Sequence, residues 1–204
     1  METGSNYENL LEPKRKGIGA DTVILCFLAV ILLLLFMLVM NCSLCLVDGD
    51  SMNNTLVDKQ YVLLQKGQDA RVGDIVVFYK DTTEKNYIKR VVAVGGETIR
   101  FTVNDDGDMI LTKKSGDNFV EMTENYIKES MDITSSVINK EITVPAGSYY
   151  VMGDNRNHSS DSRDNLVGVV SKSEVKGKVM HILAPGGMDE WLLKLVFSAG
   201  IKGS

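Results

Sequence analysis

Between Thr22 and Val47 the chain carries no charged residue, and from Val23 to Met40 it is built almost wholly of Val, Ile, Leu, Phe, Met and Ala. A helix rising about 1.5 Å per residue crosses the roughly 30 Å hydrocarbon core of a bilayer with about 20 such residues. A core helix of a soluble domain would keep polar residues along one face, and this run has none before Asn41. A cleaved export signal fits no better, because the run outlasts the usual apolar region of about 7 to 15 residues and no A-x-A follows it. The run therefore predicts a retained single transmembrane helix over residues 22–47, preceded by a short tail, residues 1–21.

Basic residues set the orientation of such a helix. Lys14, Arg15 and Lys16 lie just before the run, whereas the first basic residues after it are Lys59 and Lys66. The tail is thus expected in the cytoplasm, and the rest of the chain on the extracytoplasmic face of the cytoplasmic membrane. Cys26, Cys42 and Cys45 all fall inside the run, so the exported part is expected to hold together without a disulfide. That part has 19 basic and 23 acidic residues, a balance that does not suit a nucleic-acid partner.

Beyond the run the pattern changes to short alternating stretches broken by Gly, Asp and Asn, which is how strands and turns read. Strands are expected near 60–65, 75–79, 87–94, 98–103, 109–112, 141–144, 149–152, 167–170 and 178–183, so this part of the chain reads as mainly β. Residues 97–147 are richer in charge and in Ser, Thr and Asn, so they read as a small annex inserted between core segments 48–96 and 148–184. Substitutions in the annex, at Asp105, Lys114 or Glu124 for instance, are expected to be tolerated. The segment 185–204 includes Trp191 to Phe197, too short to span a bilayer and suited equally to an interfacial or a core-packing helix.

The chemistry is narrowed by what is scarce. His158 and His181 are the only histidines, no Cys, His and carboxylate cluster has metal-ligand spacing, and no phosphate-binding loop occurs. No metal and no cofactor are expected. What remains is nucleophilic catalysis with few histidines to serve as base, which shifts attention to serine with lysine; a lysine base requires its pKa, about 10.4 when unperturbed, to be brought down, as desolvation does. Lys89 sits inside the strand-like run Tyr87 to Val94, where Tyr87, Lys89 and Val91 share one face and Ile88, Arg90 and Val92 the other. Burial of that strand would put one cation in the core and leave the other to find a carboxylate; a half-exposed edge strand is the plainer alternative. Ser51, in Asp48-Gly49-Asp50-Ser51-Met52, is the serine candidate by position, although a serine in such a turn more commonly caps. The polar loop from Gly153 to Asn165 interleaves Asp, Arg and Ser, as an ordered, hydrogen-bonded loop would.

These clusters, in this order after an apolar anchor, resemble the type I signal peptidases. Ser51-Met52 with Thr55-Leu56 looks like that family's S-M-x-P-T-L box. Gly73 to Phe78 is similar to its G-D-I-V-V-F box, Lys89-Arg90-Val91 to its K-R-V box, and Gly153-Asp154-Asn155-Arg156 with Ser159 to Arg163 to its G-D-N-R-x-x-S-x-D-S-R box. The resemblance covers about residues 23–183, and four boxes in order are far more specific than any one.

The resemblance implies a mostly antiparallel β domain with a small β annex, and a membrane-bound serine endopeptidase that removes signal peptides from exported preproteins, with membrane lipid as its other partner. It implies Ser51 as nucleophile, Lys89 as general base, Ser159 orienting the lysine, and Asp161 organising the loop with Arg163 or Arg90. Met52, Ile88 and Tyr87 are the residues expected to line the substrate site. Two positions depart from the family pattern. Asn54 replaces the usual Pro, and Gly49 stands where some members carry a second Ser, leaving the Ser51 N–H as the main oxyanion donor. Three alternatives stay open: an anchored, catalytically silent peptide-binding module of the same fold; a Ser/His/Asp hydrolase using His158; and a self-cleaving repressor, which would begin with a DNA-binding domain instead of an anchor.

Overall fold

The apolar run divides into two elements. In the computed structural model, which describes residues 19–53, 55–133, 136–183, 187 and 201–203, helix α1 covers Ala20–Asn41. Its 22 residues extend about 33 Å, enough to cross a hydrocarbon core. The expected span of 22–47 is therefore too long at its C-terminal end. Residues Cys42–Val47 form a largely buried strand, β1, and with it Cys42 and Cys45 leave the helix for the core. A continuous apolar run cannot be split by periodicity into a lipid-facing helix and a strand buried on both faces, which is why the boundary is hidden. All three cysteines are free thiols. The chain forms two compact units, residues 1–38 and 39–204. Lys14 to Lys16, Asn54 and the segment Trp191 to Phe197 lie outside the described residues.

After β1 come β2 (Tyr61–Gln65), β3 (Ile75–Lys80), β4 (Lys85–Val94), β5 (Thr98–Val103), β6 (Met109–Ser115), β7 (Asn118–Glu121) and β8 (Glu141–Thr143). They are succeeded by β9 (Ser148–Met152), β10 (Val170–Ser171), β11 (Val175–Ile182) and β12 (Ile201–Gly203). Eight strands make one sheet in the order β10-β9-β4-β3-β11-β2-β1-β12, and four make a second in the order β7-β6-β5-β8. Among the described strands every pairing is antiparallel except that of β12 with β1. Strands β1, β7 and β12 are additions to those expected. The strand expected at 167–170 shrinks to Val170–Ser171, because Val167 and Gly168 both close a turn on the Asp164 carbonyl, at 3.1 and 2.8 Å.

Three buried clusters hold the strand that carries Lys89, one of them through Tyr87 and Val91 on either side of it, and the other two position the site. The first joins Cys45 and Val47 of β1, Val62 and Leu64 of β2, and Ile88 of β4 to Met52 and Leu56, which lie in the loop after β1. The second packs Val92 and Ala93 of β4 and Tyr150 and Met152 of β9 against Ile99, Phe101, Met109 and Leu111 of the second sheet. Each large apolar side chain buried in this way stabilises the fold by about 1.5 to 3 kcal/mol. The second sheet is therefore fastened to the first through the far end of β4.

Candidate active site

The loop leaving β1 turns sharply at Gly49, whose φ of +103° lies where glycine is favoured. Tight turns come next, with Asn53 N donating to Asp50 O at 2.9 Å and Leu56 N to Met52 O at 2.9 Å. Met52 and Leu56 are each 1% exposed, so the loop is pinned into the core by the residues flanking Ser51. The Ser51 side chain is left at the surface of a pocket of about 220 Å³ lined by Asp48, Gly49, Asp50, Lys85, Tyr87, Lys89 and Ser160.

Lys89 enters that pocket from the middle of β4. Its neighbours in the strand pair with β3 on one side and β9 on the other, and the residue is 1% exposed. Its Nζ lies 2.7 Å from Ser51 Oγ and donates to the Ile88 carbonyl at 3.0 Å. Burial brings its pKa down to about 8, against the opposing pull of Asp161, Asp154 and Asp50. A lysine so placed is partly neutral near physiological pH and within proton-transfer distance of a serine hydroxyl. The strand thus buries Lys89, while Arg90 finds a carboxylate, donating to Asp154 from Nε at 2.8 Å and from Nη2 at 2.5 Å.

The loop from Gly153 holds the serine from behind. Asn155 N donates to Ser51 O at 3.0 Å, and Asn155 Nδ2 to Asp50 O at 3.2 Å. Gly153 comes so close that a Cβ on it would sit 2.5 Å from Ser51 O and also collide with Ser159 Oγ. Asp161 braces the same loop: Arg163 donates to it from Nε and Nη2, each at 2.8 Å, and Gly153 N donates to it at 3.0 Å. Burial opposes the Asp161 charge, but Arg163 and the Gly153 amide hold its carboxyl below the usual range, with a contribution from Ser159.

Ser159 itself differs from expectation. Its Oγ is buried and close enough to Asp161 to help hold that carboxyl down, but among the described residues it meets no partner within hydrogen-bond geometry, so the expected bond to Lys89 is not formed. Ser162 is used elsewhere, accepting from Val151 N at 2.9 Å. Of the two partners expected for Asp161, Arg163 is the one bound and Arg90 is not. Among the residues expected to contact substrate, Tyr87 lines the pocket, while Met52 and Ile88 are buried in the core cluster behind it. His158 is exposed, and the hydroxyl of Ser51 is bonded to Lys89 instead.

The family described as signal peptidase, peptidase S26, matches residues 20–184. The chain belongs to that family. Among signal peptidase relatives, signal peptidase I of Bacillus licheniformis is 34% identical over 151 residues, covering 69% of this chain and 75% of that one. Signal peptidase I U of Bacillus subtilis (strain 168) is 31% identical over 147 residues, covering 70% of this chain and 75% of its own. A crystal structure of a signal peptidase I from Enterococcus faecalis V583 is 28% identical, covering 56% of this chain and 98% of that one, with a TM-score of 0.36, too low to bear on the fold.

For this signal peptidase, several residues that organise the site are not among those singled out from the sequence. Asp154 accepts from Arg90 and from Thr55 Oγ1, tying three boxes together. Its signal was available, because Arg90 on the strand face opposite Lys89 required a carboxylate. Glu124 and Tyr126 also reach this network, through Arg156 and Arg90, although the stretch that carries them has no readable period.

Proposed function

We propose that this signal peptidase cleaves with Ser51 as nucleophile and Lys89 as general base. Neutral Lys89 takes the proton as Ser51 Oγ attacks the carbonyl of the scissile peptide, and the Ser51 N–H receives the developing oxyanion. The lysine, now an ammonium, returns the proton to the leaving amine, and water attacks the acyl-serine by the same route in reverse. The observation that carries this reading is the 2.7 Å contact between a buried, pKa-lowered Lys89 and Ser51. A silent binding module would have no need of a desolvated lysine against a serine.

Ser159 is the group assigned to steady Lys89 once it is charged, a role suited to a buried hydroxyl with no partner at rest. Asp161, with Arg163, holds the loop that presents it, Arg90 acts through Asp154, and Tyr87 borders the substrate pocket ahead of Met52 and Ile88. α1 would anchor the chain in the cytoplasmic membrane with residues 39–204 on the extracytoplasmic side, following the basic residues that precede it. Ser51→Ala and Lys89→Ala should each abolish cleavage of a preprotein, with the double variant no worse than either. Substantial turnover by Lys89→Ala would place the base elsewhere.

A further inference from the structure

One loop outside the matching boxes reaches the site. Between β7 and β8, Glu124 takes both arms of Arg156, with Nη1 donating to Oε2 at 2.8 Å and Nη2 to Oε1. The two side chains are 10% and 2% exposed, so the pair is almost out of water. The Tyr126 hydroxyl donates to the same Glu124 Oε1 at 2.5 Å, and the Arg90 guanidinium carbon lies 4.0 Å from the centre of the Tyr126 ring. Arg156 in turn donates from Nε to Gly153 O at 3.1 Å. Two residues of one loop therefore hold the two arginines that flank Gly153 and Asp154.

We infer that Glu124 and Tyr126 are positioning residues for the Ser51–Lys89 pair, acting through Arg156 and Arg90; this rests on the proposed roles of Ser51 and Lys89. Without Glu124 a buried guanidinium loses its carboxylate, and such a group moves to regain water or another acceptor. Arg156 would then release the Gly153 carbonyl, and with it the stretch whose Asn155 amide fixes the Ser51 backbone. A misplacement of about 1 Å at a reacting group costs about 10²-fold in rate. Tyr126 acts on the second arginine, keeping Arg90 in line with Asp154.

Glu124→Ala should lower kcat on a signal-peptide substrate by roughly 10 to 10²-fold with KM within about threefold, and Glu124→Gln, which keeps the shape and one acceptor, should lose less. Tyr126→Leu should cost more than Tyr126→Phe, which keeps the ring under Arg90. Glu124→Ala combined with Arg156→Ala should be no worse than the worse single change, a coupling that a general loss of packing would not give. Asp105→Ala, in the turn between β5 and β6, and Lys114→Ala, on β6, should turn over like wild type. Wild-type kcat in both Glu124 variants, or a loss confined to KM, would overturn the inference. Ser51→Ala in parallel separates the two levels: if it is inactive while the Glu124 variants are normal, only the positioning role fails.

Strand β12 lies at the sheet edge, parallel to β1, with Cys45, Leu46 and Val47 opposite Ile201, Lys202 and Gly203, and Asp48 N donates to Gly203 O at 2.8 Å. β1 runs in that direction straight into Gly49-Asp50-Ser51, so β12 points along the same line. Gly203 also packs against β4, where a Cβ on it would lie 3.3 Å from Ile88 Cβ and 3.5 Å from Cys45 Sγ. An extended peptide joining this sheet beside Ser51 needs the edge that β12 covers.

We propose that Ile201–Gly203 is a built-in competitor, a strand that must leave before an extended substrate pairs with β1; this too rests on Ser51 being the nucleophile. Deleting Ile201–Gly203 should lower KM for a signal-peptide substrate several-fold at constant kcat. Gly203→Trp, whose ring has no room against Ile88, should do the same in the full chain. A synthetic heptapeptide Ser-Ala-Gly-Ile-Lys-Gly-Ser, matching residues 198–204, should inhibit the deletion variant competitively. An unchanged or raised KM in both variants overturns the proposal, and an active Ser51→Ala control would instead remove the reading beneath it.

Discussion

Arg90 and Asp154 form a two-pronged pair in which the carboxylate is buried and the arginine side chain is only 11% exposed. The pair joins the strand carrying Lys89 to the loop that grips Ser51, and Thr55 beside the serine bonds the same carboxylate. It thereby converts three separate stretches of chain into one rigid frame. Breaking it should be costly in two ways. Asp154→Ala leaves Arg90 without its charge partner and should reduce stability by about 3 to 5 kcal/mol in denaturant titration. Asp154→Asn, which keeps the shape, should shift the pH dependence of cleavage to lower pH, because the Asp154 charge supports the Lys89 ammonium.

On the proposed mechanism the wild-type pH profile is set by the same lysine. Its pKa stands at about 8, lowered chiefly by burial, and only the neutral amine accepts the Ser51 proton. The kcat/KM of cleavage should therefore climb as pH rises through about 8. His158→Ala should leave this limb in place. Loss of that limb in His158→Ala would return the histidine to consideration.

Lys89 should also leave a signature in stability. An unfolded-state value near 10.5 and a folded value of about 8 mean that between those two pH values the unfolded chain binds the extra proton. Wild-type stability from this group should thus rise with pH across that window, by up to about 3 kcal/mol, and be lowest below pH 8. Lys89→Met carries no such slope. Its stability advantage over wild type should be greatest at neutral pH and shrink toward pH 10, as read from denaturant midpoints.

Gly153→Ala tests the close approach behind the serine. The Ser159 hydroxyl can rotate away from an added methyl, but the Ser159 Cβ, at 2.6 Å, and the Ser51 carbonyl, at 2.5 Å, are fixed by the backbone, and the second belongs to the residue proposed as nucleophile. The variant should lose about 1 to 3 kcal/mol of stability and about 10²-fold in kcat. Adding Ser159→Ala should not restore it, since the backbone collision remains.

Ser159→Ala tests the hydroxyl itself. If that buried group receives the Lys89 ammonium during turnover, kcat should fall by roughly 10 to 10³-fold with little change in KM, and Ser159→Thr should retain more activity. Equal rates for Ala and wild type would make the hydroxyl a packing group against Gly153, and Ser160, which lines the pocket, the next candidate.

How far the sequence could be read depended on whether a signal was local. Lys89 was legible because a cation amid alternating apolar residues must be buried or paired, and Ser51 because its turn follows an apolar run. Both are properties of a few neighbouring residues. The boundary at Asn41 was not, since a lipid-facing helix and a two-faced buried strand draw on the same residues. Glu124 and Tyr126 were illegible for a different reason. Their loop has no period, and their partners lie 32 residues ahead and 36 behind, so their meaning exists only in three dimensions. The expectation that Glu124 would tolerate change came from the loop's lying outside every box, and its pairing with Arg156 removes that ground.

Cys45 sits in β1 with its sulfur against the path of Gly203 and no exposed surface. Burial raises its thiol pKa to about 12, which keeps it protonated and slow toward alkylating reagents. Because β12 forms one wall of this enclosure, each departure of that strand uncovers the sulfur. With Cys26, exposed on α1, replaced by serine, mass-resolved labelling at Cys45 would report how often the edge of β1 is vacant, using a native atom as the recorder.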